Sequence, residues 1–167
     1  MQEVVVYGVS FDMIGKQPIV LLKTAHSNRF LPIWIGHPEA SAILAKLQES
    51  ETPRPMTHDL LANALRDLGG EVVRIAVTEM RDGTFYARIL IERDSEEIEL
   101  DARPSDAIAI ALRAKAPIFV ADDVIESSAI LMEEEGEAGE AAEPEQLVED
   151  FRRFLDDVRP EDFGADG

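Results

Sequence analysis

Short runs of β-branched and aromatic residues, separated by turn residues, recur through the first 120 positions and predict strands. Two groups of three strands are separated by two helical segments, and a seventh, short strand follows a third helix. The predicted strands are residues 3–12, 19–23, 30–35, 72–80, 84–92, 97–102 and 117–120. Between the fourth and fifth, Asp82-Gly83 predicts a tight hairpin, because this pair tolerates the positive φ angles of a type I′ turn.

Apolar residues at helical spacing predict three helices, at residues 38–48, 58–68 and about 104–114. Thr57 and Ser105 are expected to cap the second and third helices, since hydroxyl oxygens accept from free amide groups at helix starts. Gly69-Gly70 is expected to end the second helix. Hairpins with single helices between them, rather than regular βαβ alternation, predict an α+β fold: a largely antiparallel sheet with three packed helices.

Composition divides the chain into three parts. Residues 1–132 are long enough to form one domain with a buried core. Residues 133–144 are acidic and lack large apolar side chains, so they are expected to form a flexible linker. Residues 145–167 contain an apolar stripe that predicts an amphipathic C-terminal helix, docked on the domain or on a partner. The stripe consists of Leu147, Phe151, Phe154, Leu155 and Val158.

Charge and composition restrict the function. The net charge is −18, and most of it lies after residue 120, where the chain has 17 acidic and 3 basic residues. A broad nucleic-acid-binding surface is therefore not expected, and nucleic-acid chemistry would need a local basic patch or metal ions. The chain has no cysteine, no apolar run of the roughly 18 residues that span a membrane, and no basic leader followed by an apolar run. We expect a cytoplasmic protein without membrane contact. No Gly-rich phosphate loop is visible, and no organic cofactor is expected.

The three predicted helices begin alike, which raises a question of function. Glu39, Asp59 and Asp106 each precede small and branched apolar residues, with a basic residue seven positions on. Acidic residues in a first turn stabilise the positive end of a helix, and this structural role explains each one separately. If the three helix starts converge, however, these carboxylates, with Asp101 nearby, would form a site for Mg²⁺ or Mn²⁺ and for metal-assisted hydrolysis.

Basic and aromatic residues near these helix starts admit two roles each. His58 is either a general base or an ordinary first-turn residue. Arg103 and Arg54 either bind a phosphate or pair with neighbouring acids, and we favour the phosphate role for Arg103. Trp34, in an apolar strand, is expected in the core. Ser105 has no histidine partner in its own motif, so capping is the better interpretation than nucleophilic attack.

Three blocks of the sequence resemble the signature of the bifunctional nuclease domain family. The blocks are LPIWIGHPEASAI (31–43), RPMTHDLL (54–61) and DARPSDAIAIALRAKAPIFV (101–120). The resemblance covers about residues 1–132 and is greatest to bacterial members without an appended UvrB/UvrC-like motif. It implies a compact α+β domain, a homodimer, and degradation of both DNA and RNA with little sequence preference. The matching motif positions are Glu39, Thr57, His58, Asp59, Asp101, Arg103, Ser105 and Asp106.

Two functions therefore remain open. In the first, the protein is a nuclease: Glu39, Asp59 and Asp106, with Asp101 nearby, bind a divalent metal ion. His58 or a metal-bound hydroxide attacks phosphorus, and Arg103 stabilises the phosphate. In the second, the protein is a non-catalytic dimeric binding or regulatory domain, and the same residues form a buried polar network that fixes the fold.

Overall fold

The computed structural model describes residues 1–50 and 52–131 of the chain. These residues form eight strands in one sheet and four helices, which confirms the predicted α+β class with a mostly antiparallel sheet. The linker predicted at 133–144 and the helix predicted at 145–167 lie outside the described residues.

The elements closely follow the predicted order. The strands are β1 (Gln2–Asp12), β2 (Gln17–Thr24), β3 (Arg29–Trp34), β4 (Glu71–Arg81), β5 (Thr84–Arg93), β6 (Glu96–Ala102), β7 (Ile118–Val120) and β8 (Ile130–Leu131). The helices are α1 (His37–Leu47), α2 (Thr57–Asp67), α3 (Pro104–Ala114) and α4 (Asp122–Ser128).

The sheet joins two meanders through one short strand. Its order is β6-β5-β4-β7-β1-β2-β3-β8, so β1-β2-β3 and β4-β5-β6 are the two antiparallel groups. β7 lies between them, antiparallel to β1 and parallel to β4. β6 runs in the same direction as β4, and α3 connects the end of β6 to the start of β7. This crossover lets β7 pair with β4 in the parallel direction.

Helix α3 lies at the centre of the core. Its residues from Ala107 to Ala111 are completely buried, and the small alanine side chains let it pack closely on the neighbouring elements. It contacts α1, α2, β4 and β5. The start of α3 is thereby placed beside the starts of the two outer helices, and this positions the candidate site.

Two predicted chain reversals are confirmed. Asp82 and Gly83 have φ angles of 51° and 72°, both positive as a type I′ hairpin requires. Helix α2 ends in a Schellman motif: Gly69 has φ 82°, and the Gly70 amide donates to the Leu65 carbonyl at 2.8 Å.

The structure corrects the two expected caps. Met56 and Arg103 occupy the N-cap positions of α2 and α3, whereas Thr57 lies at the first position of α2 and Ser105 at the second position of α3. Neither helix has a hydrogen bond from a capping hydroxyl. At α2, the free Met56 amide instead donates to the Asp59 carboxylate at 2.8 Å.

Candidate functional site

Four polar side chains from three helix starts meet in one hydrogen-bonded group, here called the polar cluster: Glu39, His58, Arg103 and Asp106. Arg103 donates from Nε to Asp106 at 2.7 Å and from Nη2 to Glu39 at 2.7 Å. His58 Nε2 lies 2.9 Å from the other Asp106 oxygen. The expected convergence of helix starts is therefore present, with Arg103 as the bridge between α1 and α3.

Local backbone geometry explains why Arg103 and Asp106 meet. Arg103 has extended backbone angles (φ −69°, ψ 145°), and Pro104 begins the helix with its fixed φ. Asp106 follows three residues after the cap, at the separation from which a first-turn side chain reaches back.

The Glu39 carboxylate lies over the N-cap of α1, where the missing side chain of Gly36 leaves room for it. Gly36 is the N-cap of this helix, and a Cβ atom there would collide with the Glu39 carboxylate. The absence of a side chain at position 36 gives this carboxylate room. Glu39 is 13% exposed, so the ion pair with Arg103 is partly shielded from solvent on one side.

The cluster keeps Asp106 ionised. Burial alone would raise the pKa of Asp106, but hydrogen bonds from Arg103 and His58 outweigh it, and the pKa is lowered. The hydrogen bonds that Arg103 donates to Asp106 and Glu39 raise the pKa of Arg103 in turn. An ionised carboxylate only accepts, so His58 Nε2 carries the shared proton and Nδ1 is the nitrogen with a lone pair when the ring is neutral.

A second group of contacts lies behind the polar cluster. Arg113 donates from Nε to Asp59 at 2.6 Å, from Nη1 to the Ala109 carbonyl at 2.9 Å and from Nη2 to the Ala42 carbonyl at 3.2 Å. Burial would raise the pKa of Asp59, but the Met56 amide and Arg113 lower it below the usual value. Arg113 is 7% exposed and thus connects α3, on which it lies, to α1 and α2.

Other predicted residues lie apart from the polar cluster. Asp101 is on β6, 70% exposed, and its recorded partner is Arg88 at 3.4 Å. Arg54 is exposed in the loop before α2. Asp59 is adjacent to His58 in sequence, but its carboxylate contacts Arg113 and the Met56 amide.

The predicted metal ligands do not assemble as one set. Both oxygens of Asp59 are engaged, and Arg103 lies between Glu39 and Asp106. Across residues 1–50 and 52–131, no group of three histidine or acidic side chains is arranged to hold a metal ion. The residues in this arrangement do not fit a three-carboxylate metal site, and we derive no step through a metal ion.

Arg113 is the residue that sequence reasoning missed. It was visible as the basic residue seven positions after Asp106, in the same place as Lys46 and Arg66 relative to their helix starts. Position alone gave no reason to distinguish it from these two. The distinguishing property is its burial, which depends on how the helices pack.

The fold and the polar cluster define a small α+β domain in which one ionised aspartate, Asp106, is held by a histidine and an arginine. The family model of the bifunctional nuclease domain matches residues 20–133. The chain belongs to the bifunctional nuclease domain family.

Similar proteins fall into two groups. An uncharacterized protein of Mycobacterium tuberculosis is 42% identical over 166 residues, which are 99% of each chain. Bifunctional nuclease 1 of Oryza sativa is 34% identical over 112 residues, and the match spans 65% of this chain but only 34% of the plant protein. Bifunctional nuclease 1 of Arabidopsis thaliana is 29% identical over the same length.

Among the described helices, none has the length and apolar character needed to cross a membrane.

Proposed function

We propose that this protein is a nuclease that hydrolyses phosphodiester bonds of DNA and RNA with little sequence preference. The observation that carries the proposal is the polar cluster itself, in which Asp106 contacts both His58 and Arg103. Family membership and the plant relatives named as bifunctional nucleases support the same chemistry.

The acid–base role falls to His58. Asp106 accepts a hydrogen bond from His58 Nε2–H and orients the ring, which leaves Nδ1 to take a proton from an attacking water molecule. Within the described residues, no hydrogen bond to His58 Nδ1 is recorded, so this nitrogen is available. Asp106 remains ionised throughout and stabilises the imidazolium that forms.

The phosphate-binding role falls to Arg103. Its guanidinium uses Nε and Nη2 for Asp106 and Glu39, and no contact from Nη1 is recorded within the described part of the chain. The side chain is 66% exposed, so a phosphate oxygen has access to Nη1. A guanidinium held in place by two carboxylates stabilises charge that develops on the phosphoryl oxygens without reorganising.

Assistance by Mg²⁺ or Mn²⁺ stays a prediction from the sequence alone, to which the observed contacts of Glu39, Asp59 and Asp106 add no support. The direct test is cleavage of single-stranded DNA, duplex DNA and RNA by the purified full chain with Mg²⁺, Mn²⁺ or EDTA. The key variant is Glu39→Gln/Asp59→Asn/Asp106→Asn, purified in the same way and checked for folding by thermal melting. Cleavage that the folded triple variant loses supports the proposal, and cleavage that it retains contradicts it.

A single-residue comparison tests the assignment of the base. We expect His58→Gln to lower the cleavage rate by about 100-fold or more, the range for a lost general base. His37→Gln is the matched control, because His37 also begins a helix but its recorded contact is with the Phe11 ring, at 5.8 Å. Equal rates for the two variants would show that His58 is not the base.

A non-catalytic binding or regulatory domain is the second candidate, and one observation favours it. Arg103 already pairs with two carboxylates, Glu39 and Asp106, so its positive charge is neutralised without a ligand. This function predicts that Asp106→Asn lowers stability and that the wild-type protein cleaves nothing. A variant of full stability that loses phosphodiester cleavage would exclude it.

We also propose that the protein is a homodimer that associates through α2. Met56 at the N-cap, Leu60 within the helix and Leu68 at the C-cap are spaced by four and eight residues and are 57%, 63% and 67% exposed. We expect Leu60→Glu to shift the molar mass measured by light scattering from dimer to monomer. Met13→Glu, at an equally exposed residue of the β1–β2 turn, is the control.

The cytoplasmic location stays a prediction, and cell fractionation tests it.

A further inference from the structure

A cavity adjoins the polar cluster at Arg103. Its volume is about 390 Å³, and four segments line it: the start of β2, the end of β3 with Trp34, the β4–β5 hairpin with Thr84 and Phe85, and the start of α3 with Arg103 and Ser105. Ligand-binding cavities typically begin at about 300 Å³, so this one has room for a single nucleotide unit.

Ser105 gives the cavity an available polar group. The residue is only 6% exposed, and within the described residues no hydrogen bond of its hydroxyl is recorded. Every fully enclosed side-chain nitrogen or oxygen in that part of the chain has a partner. The Ser105 hydroxyl is therefore not fully enclosed, and the space that it reaches is the cavity that it lines. A nearly buried hydroxyl without a protein partner is open to a hydrogen bond from a ligand group or from water.

Arg103 connects the cavity to the polar cluster. It is a member of the cluster through Asp106 and Glu39, and it also lines the cavity. A ligand that places its phosphate on Arg103 Nη1 therefore has its adjacent atoms at the cavity mouth. The group attached to a phosphate in a nucleic acid is a nucleoside.

We propose that this cavity is a nucleobase subsite, which holds the base of the nucleotide whose phosphate contacts Arg103. This inference rests on the proposed nuclease function and adds to it the part of the substrate that the enzyme grips. Phe85 and Trp34 provide aromatic surface for a base, and Ser105 and Thr84 provide hydroxyl groups for its edge.

The lining also accounts for weak sequence preference. Aromatic stacking is sequence-tolerant because every base has a π-face. A hydroxyl group either donates or accepts, so Ser105 matches a carbonyl or an amino group on the base edge equally well. The subsite should therefore bind all the common bases, with affinities that differ by less than about tenfold, a spread of about 1.4 kcal/mol.

The chain carries its own reporter for this cavity. Trp34 is the only tryptophan and lines the cavity, so fluorescence excited at a wavelength that the two tyrosines do not absorb reports on this place. We would titrate the full chain with the four ribonucleoside monophosphates, with uridine and adenosine, and with inorganic phosphate. Free tryptophan amide corrects for light absorbed by the bases. We expect saturable quenching by the monophosphates, weaker quenching by the nucleosides, and none by phosphate alone.

Three variants test the contacts. Phe85→Ala should weaken monophosphate binding at least about fivefold through lost stacking. Ser105→Ala should weaken it by about threefold or more through one lost hydrogen bond. Ser41→Ala is the matched control, because this serine lies on α1 at a separate cavity of about 340 Å³ and should leave the affinity unchanged. Thermal melting of each variant identifies any loss caused by unfolding.

The subsite and the nuclease fail separately. Saturable binding that Ser105→Ala weakens, in a protein that cleaves no nucleic acid, supports the subsite and contradicts the nuclease. Cleavage without quenching by any monophosphate supports the nuclease and overturns the subsite. Quenching that inorganic phosphate reproduces also overturns the subsite, whether or not the protein cleaves nucleic acid. If Phe85→Ala proves unfolded, the Ser105→Ala and Ser41→Ala comparison still decides the outcome.

Discussion

Arg113 Nε lies 2.6 Å from Oδ1 of Asp59, so the last turn of α3 is tied to the first turn of α2. The same guanidinium reaches the Ala42 carbonyl of α1. This contact fixes the direction of α2, and the residue next to Asp59 is His58. The position of the candidate base therefore depends on an ion pair that itself has no part in the proposed chemistry.

Removal of Arg113 should destabilise the fold strongly. We expect Arg113→Met to lower the free energy of unfolding by about 3 kcal/mol, because it leaves the partly buried Asp59 carboxylate without the guanidinium that pairs with it. Chemical denaturation measured by circular dichroism gives this value directly. Arg66→Met is the control: Arg66 is 72% exposed, and its loss should change stability by less than about 0.5 kcal/mol. Equal losses would show that burial of Arg113 adds nothing.

Gly36→Ala should disturb Glu39 without any change to Glu39 itself. The backbone at position 36 is extended (φ −75°, ψ 157°), which alanine adopts freely, so the added methyl group acts only through its collision with the Glu39 carboxylate. We expect Glu39 to swing away from Arg103. The cleavage rate of Gly36→Ala should then match that of Glu39→Gln.

A double variant distinguishes this effect from general damage. If Gly36→Ala acts through Glu39, adding it to Glu39→Gln should cause little further loss, whereas independent effects would multiply. Gly8→Ala is the matched control, because a Cβ atom at Gly8 meets nothing within 4 Å. A multiplicative double variant would contradict the proposed route.

The sequence predicted the elements well because local chemistry decides them. The Asp82-Gly83 hairpin and the Gly69 helix end each depend on residues that tolerate positive φ, and neighbouring residues suffice to identify them. α4 and β8 went unpredicted because their length gives little periodicity. β8 has two residues and exists through its pairing with Arg29 and Phe30 of β3.

The partners within the site could not be predicted in the same way. That the helix starts converge was a reasonable hypothesis, but which acid meets which base depends on contacts between distant parts of the chain. Arg103 and Glu39 are 64 positions apart, and Arg113 and Asp59 are 54 apart. The similar helix starts suggested one role for all three acids. Packing separates them, since Asp59 meets a buried arginine while Glu39 and Asp106 share an exposed one.

The corrected cap of α2 leads to a stability test. Thr57 lies at the first helical position, so Thr57→Ala should change the free energy of unfolding by less than about 0.5 kcal/mol. A true capping threonine would cost about 1 kcal/mol. Asp59→Ala is the comparison, since it removes the acceptor of the Met56 amide and the partner of Arg113, and should cost at least about 2 kcal/mol. A larger loss for Thr57→Ala would restore the capping role.

Asp106 should make stability depend on acid. Its native pKa is lowered, so the unfolded chain, with an ordinary aspartate, binds a proton at higher pH than the folded one does. The contribution of Asp106 is therefore complete above about pH 5 and is lost as the pH falls through the native pKa. Asp106→Asn has no carboxyl group to protonate. We expect it to be about 2 kcal/mol less stable than wild type at neutral pH.

The difference between the two proteins should then shrink below about pH 4, because wild type loses a contribution that the variant never had. Urea denaturation midpoints measured from pH 7 to about pH 3 give the comparison. Asp12 and Asp59 also have lowered pKa values, but they are present in both proteins and cancel in the difference. Asp101→Asn, at an exposed position of β6, should run parallel to wild type throughout. A constant gap between wild type and Asp106→Asn at every pH would mean that Arg103 and His58 do not hold Asp106 in its ionised form.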